Sequence, residues 1–136
     1  MTYSPLSFLY VEDDPPSRGL MSVLLRRVMG CQNVTILEDS SDFLARLAGL
    51  PVIPDIILLD IHIAPVNGIE LLKMIRGRSE YDSVRVIALT ASVTASEVMD
   101  LKKCGFDGLI GKPVRPSAFP QLIERIMAGK SVWMVP

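Results

Sequence analysis

The sequence is poor in the features that mark several large functional classes. It has two cysteines, Cys31 and Cys104, which follow no metal-ligand spacing and are too few for a disulfide framework. Free thiols in a reducing compartment are therefore expected. No run or stripe of lysine and arginine occurs: 14 basic residues are scattered among 15 acidic ones for a net charge of −1. Nucleic-acid binding thus has little electrostatic support. The most apolar stretch, "PDIILLDIHIAPV", is broken by Asp60 and is far too short to span a bilayer. The opening "MTYSPLSFLY" lacks the charged and apolar regions of a signal peptide, so no membrane association and a cytoplasmic location are expected. Internal repeats and low-complexity segments are absent.

What remains is the composition of a globular domain, 49% hydrophobic and 21% charged over 136 residues. One domain is expected over 1–136, with a core of about 6–127 and a short tail, 128–136. The tail's role stays open between extending the last helix, packing on a partner and linking.

Short apolar runs alternate with helical patterns. Strands are expected at 6–11, 33–37, 55–60, 84–90 and 108–111, rich in Ile, Leu and Val without polar alternation, as in sheets covered on both faces. Helices are expected over about 16–29, with Leu20, Leu24 and Val28 on one face and Gly30 as cap, then behind Asp39 or Ser40, and after Asn67-Gly68. Two more are expected over 95–104, closed by Gly105, and along the stripe Phe119, Leu122, Ile123, Ile126. Five βα units imply an α/β fold: a doubly wound, five-stranded parallel sheet in flavodoxin-like order 2-1-3-4-5.

In such sheets ligands bind outside the carboxyl ends of the strands, beside strand 1. That rule brings Glu12 and Asp13, Asp60, Thr90 and Lys112 to one edge. In the run Glu12-Asp13-Asp14, Asp14 is read as a helix cap ahead of Pro15 and Pro16. Like charges raise each other's pKa unless offset, and Lys112 with a divalent cation can offset them. Oxygen-only ligands suit Mg²⁺, which would leave Asp60 free to attack phosphorus while Thr90 and Lys112 pair with the transferred group.

The stretches "FLYVEDD", "PDIILLDIHIAPVNGIELLKMIR", "VIALTA" and "GLIGKP" resemble, in order and separation, the receiver domains of two-component response regulators, the CheY-like superfamily. The resemblance covers about residues 6–127. It implies that Glu12 and Asp13 hold Mg²⁺ with the backbone carbonyl of His62, and that Asp60 accepts a phosphoryl group from a kinase phosphohistidine. It further implies that Thr90 follows phosphorylation with small Ala91 after it, that Lys112 pairs with the phosphate, and that Lys112-Pro113 is cis. The expected function is a single-domain response regulator that catalyses only its own phosphorylation and slow dephosphorylation. Its partners would be a sensor histidine kinase or phosphotransfer protein and a downstream protein target, with a homodimer left open.

Two positions depart from the family pattern. The switch aromatic expected three residues before the lysine is Leu109, and the proline expected four after Asp60 is Ala64, with Pro65 displaced by one. A sharper reading of His62 has its imidazole, with Ser92, tuning the access of hydrolytic water. Two rivals remain: a constitutive interaction module, which Leu109 favours and the full acidic–hydroxyl–lysine set opposes, and an aspartyl phosphatase. The latter needs a second carboxylate two residues after its nucleophile, where this chain has His62.

Overall fold

A computed structural model describes residues 2–91 and 94–134. Its strands are β1 (Ser7–Val11), β2 (Asn33–Leu37), β3 (Ile56–Asp60), β4 (Arg85–Thr90), β5 (Gly108–Gly111) and β6 (Val132–Met134). The helices are α1 (Pro15–Val23), α2 (Phe43–Ala48), α3 (Gly68–Arg76), α4 (Ala95–Cys104) and α5 (Phe119–Met127). All strand pairings are parallel, in the order β2-β1-β3-β4-β5-β6.

The expected order 2-1-3-4-5 is present, and β1 lies between β2 and β3, where the winding reverses. The strand count is corrected from five to six, because residues 132–134 of the supposed tail join the sheet. Gly129, at φ 83°, turns the chain out of α5 and back alongside β5.

Residues of β1 and β3 are buried throughout, and their alternation feeds two cores. Phe8 and Tyr10 point into a layer with Met21, Leu24, Leu25, Phe119 and Ile123. Leu9 and Val11 point into the opposite layer with Phe43, Leu71, Leu72, Leu101 and Leu109. Each fully buried large apolar side chain contributes about 1.5–3 kcal/mol, so both layers hold the sheet rigid beneath the strand ends.

Helix boundaries follow their caps. Asp14 accepts the Ser17 N–H at 3.1 Å, Asn67 that of Glu70 at 3.0 Å and Thr94 that of Glu97 at 3.2 Å. The expected single helix over 16–29 is instead α1 followed by a π-helical turn, Leu24–Val28, in which the Met29 N–H reaches the Leu24 carbonyl at 3.0 Å. The stripe Leu20, Leu24, Val28 is accordingly not the buried face. Met21, Leu24, Leu25 and Met29 are buried, and Leu20 and Val28 face outward. Neither Asp39 nor Ser40 caps α2, which follows Asp42 at φ 48°. Asp39 instead accepts from Ser41 and Arg46. Among the described residues no helix is long and apolar enough to cross a membrane.

Candidate phosphoryl-acceptor site

The sheet places the expected residues at its carboxyl edge. Glu12 and Asp13 follow β1, Asp60 ends β3, Thr90 ends β4 and Lys112 follows β5. Asp60 is level with Leu89, so Thr90 extends one residue past it on the neighbouring strand. The Lys112 N–H then donates to the Thr90 carbonyl at 2.8 Å, fixing where the lysine leaves the sheet. Glu12, Asp60 and Thr90 are buried, whereas Asp13 is exposed.

Carboxylate atoms of Glu12, Asp13 and Asp60 lie within 4.8 Å of one another. Lys112 Nζ forms a close ion pair with Glu12 Oε1 and lies 3.5 Å from Asp60 Oδ2. The Tyr10 hydroxyl donates to the same Glu12 oxygen at 2.9 Å, and the His62 N–H donates to Asp60 Oδ1 at 3.2 Å. Burial pushes the Glu12 carboxyl above its usual range and the neighbouring Asp60 adds to this, while Lys112 and Tyr10 pull it back. The Tyr10 phenol is pushed well above its ordinary value, by burial first and then by the Glu12 charge. Asp14 is held below the usual carboxylate range by its hydrogen bonds from Ser17, in keeping with a capping role.

The loop after Asp60 is pinned from two sides. Gly68 packs so closely that a Cβ there would lie 2.9 Å from both the Asp60 carbonyl oxygen and Ile61 Cα. Its N–H donates to the Ile61 carbonyl at 3.0 Å, so the glycine is required by a close approach of two backbones. Buried Ser40 accepts the Val66 N–H on its hydroxyl at 2.7 Å and donates its own N–H to the Ala64 carbonyl at 3.1 Å. Both Ala64-Pro65 and the expected Lys112-Pro113 bond are cis. Ser40 thus anchors the far side of this loop.

Tyr10 and Ser40 are the residues that sequence reasoning missed. Tyr10 was legible, since two residues apart on a strand is the same face, and Glu12 stands two after it. Ser40 carried no such signal, because its partner is 26 positions away.

Leu109 is fully buried and packs in the α4 layer. The His62 side chain is exposed and, with Ile61, Ile69, Thr90, Glu97, Asp100 and Leu101, lines a groove of about 170 Å³ beside the site. Ser92 lies outside the described residues, so its expected pairing with His62 is not part of this geometry.

An all-oxygen donor set fits a hard divalent ion, and the excess of negative charge left after Lys112 gives such an ion a reason to bind. Buried carboxylates beside an ammonium at a topological switch point suit transfer of a phosphoryl group to oxygen.

Known proteins resemble this chain in sequence and fold. The response regulator receiver domain profile matches residues 8–124. Stress response regulator protein 1 of Meyerozyma guilliermondii is 31% identical over 110 residues, covering 81% of this chain and 50% of that protein. The nitrate/nitrite response regulator protein homolog of Haemophilus influenzae is 27% identical over 135 residues, covering 93% and 59%. This chain therefore spans about half the length of these curated relatives. Among solved structures, the bacteriophytochrome response regulator RtBRR is 30% identical with a TM-score of 0.75, covering 89% of this chain and 78% of that one. Chemotaxis response regulator CheY4 of Vibrio cholerae shares the fold at 23% identity and a TM-score of 0.78, covering 89% and 98%. Sequence profile, relatives and fold converge: the chain belongs to the response regulator receiver domain family, whose members take part in two-component signalling by accepting phosphoryl groups from histidine kinases or phosphotransfer proteins.

Proposed function

We propose that this chain is a phosphorylation switch whose acceptor is Asp60. The observation that carries the reading is the three-way meeting of Lys112 with Glu12 and Asp60 at the carboxyl edge of the sheet. An Asp60 carboxylate oxygen attacks the phosphorus of a phosphohistidine. The new O–P bond forms as the P–N bond breaks, and the imidazole leaves and takes up a proton from solvent. The Lys112 ammonium, already 3.5 Å from Asp60, moves its charge onto the incoming phosphoryl oxygens. Tyr10 keeps Glu12 hydrogen-bonded when the lysine turns away. Thr90 supplies a hydroxyl at the same edge, and the His62 N–H holds Asp60 in place.

Glu12, Asp13 and Asp60, with the His62 carbonyl, would hold Mg²⁺, which neutralises charge on the phosphoryl group. Hydrolysis of the acyl phosphate by water resets the switch, so the chain turns over only its own modification. A constitutive binding module would have no use for a half-buried lysine held against two buried carboxylates.

Intact mass after incubation with Mg²⁺ and a small acyl-phosphate donor tests the reading. A gain of one phosphoryl group that disappears in Asp60→Asn is expected. No adduct, or an adduct that survives Asp60→Asn, overturns it.

A further inference from the structure

The parallel strand β6 closes the outer edge of β5, and three features tie it there. Gly108 has no side chain where β6 needs room: a Cβ would lie 2.8 Å from the Val132 carbonyl oxygen. Val132 is buried in the α1–α5 layer. Trp133 is level with Leu109, packs on the α4 layer, and has Lys102 of α4 over its ring at 5.1 Å from the centroid. That distance is within cation–π range.

The same stretch of α4 also touches the site. Leu101, adjacent to Lys102, walls the groove that Thr90 lines, and it is the only residue of α4 that is buried. An element with so little buried and a groove of about 170 Å³ beneath it has space to shift. Neighbouring residues of one helix therefore face the two ends of a path, Thr90 on one side and Trp133 on the other.

We propose that β6 is a latch over the β5 edge, and that Trp133 provides the aromatic read-out that buried Leu109 cannot. When Thr90 and Lys112 engage a phosphoryl group, α4 moves at Leu101, Lys102 leaves the Trp133 ring, and β6 loosens. Loosening uncovers the backbone groups of β5 that a further strand can pair with. Three residue pairs hold β6, and net backbone hydrogen bonds are weak, so its release is within reach of an ordinary allosteric coupling. The latch rests on the reading of Asp60 as phospho-acceptor, and the experiment separates the two.

Trp133 is the only tryptophan, so its emission reports docking of β6 alone. The full chain is titrated with beryllium fluoride and Mg²⁺ as an equilibrium mimic of the phosphoryl group. Fluorine NMR measures occupancy and tryptophan emission measures docking. Occupancy with a red shift of emission, both absent in Asp60→Asn, is expected. In Lys102→Met, where docking is weaker but tryptophan is retained, half-occupancy should come at about fivefold lower beryllium fluoride, a difference of about 1 kcal/mol. Occupancy without an emission change, or an unchanged midpoint in Lys102→Met, overturns the latch and leaves the acceptor reading standing. Absence of occupancy overturns both, and an emission shift that persists in Asp60→Asn overturns the latch.

Discussion

Replacing Tyr10 by phenylalanine removes a single oxygen from the centre of the fold and leaves the ring's volume in place. The lost oxygen donates to Glu12 Oε1 at 2.9 Å, and the two residues are 1% and 0% exposed, so water cannot substitute for it. A hydrogen bond to a charged group contributes about 1.5–3 kcal/mol, and an acceptor left short of partners while buried adds its desolvation cost. Lys112 remains on Glu12, which limits the loss, so we expect about 2 kcal/mol in urea denaturation. For a chain of this size that is a fall of roughly 8 °C in Tm. The protein holds its own control: the Tyr3 hydroxyl donates to Glu124 at the same 2.9 Å, but in a half-buried pair. Tyr3→Phe should therefore cost under about 1 kcal/mol. The pH dependence follows from the raised Tyr10 phenol. A group whose folded pKa is raised contributes stability below its unfolded pKa and loses it as pH rises. The gap between wild type and Tyr10→Phe should thus narrow above about pH 10, where unfolded tyrosine ionises. Equal costs for the two variants, or a gap that stays constant through pH 10, would refute the argument that burial makes this bond valuable.

Other expectations test the frame around the site. Gly68→Ala forces a Cβ against two backbone atoms at 2.9 Å, so unfolding free energy should drop by about 1–3 kcal/mol, and acyl-phosphate labelling should slow as the Asp60 loop is displaced. Unchanged stability would show that the loop yields. Ser40→Ala removes the buried acceptor of the half-buried Val66 N–H and should cost about 1 kcal/mol by the same denaturation assay, with a neutral result counting against Ser40 as anchor. Burial pushes the Cys31 thiol up to about 11, while Cys104 is exposed. A disulfide reagent at pH 8 should accordingly titrate one thiol quickly and the second only on unfolding. Two fast thiols would contradict the packing of Cys31.

The elements that sequence made legible are those whose signal is local. Apolar runs without alternation mark β1 and β3 because helices cover both faces of the sheet, and the switch-point rule then collects Glu12, Asp60 and Lys112. The helix starts at Asp14 and Asn67 read directly, since each is a capping side chain just before its helix. Elsewhere the deciding partner is distant in sequence. The α1 stripe fails because the π-helical turn at Leu24–Val28 shifts the period, and nothing in "LLRRV" announces an i to i+5 bond. Asp39 and Ser40 look like caps for α2, but one is taken by Arg46 and the other by the loop after Asp60. "VWM" is β-forming in composition, yet three residues are too few to distinguish from a tail until the bare edge of Gly108 receives them.

The direction of β6 also decides where the polypeptide points. Helix α5 runs back against the strands, so a chain stopping at its end would leave from the rim opposite Asp60. Lying parallel to β5, β6 returns the chain to the other rim, with Met134 level with Ile110. That level is two residues, about 7 Å, short of Lys112 along the strand direction. Strand β6 therefore ends on the side of the molecule that carries Asp60. A fluorophore or a fused domain joined there would screen the approach to Asp60, whereas the same cargo joined before β1 would sit at the far end of the sheet.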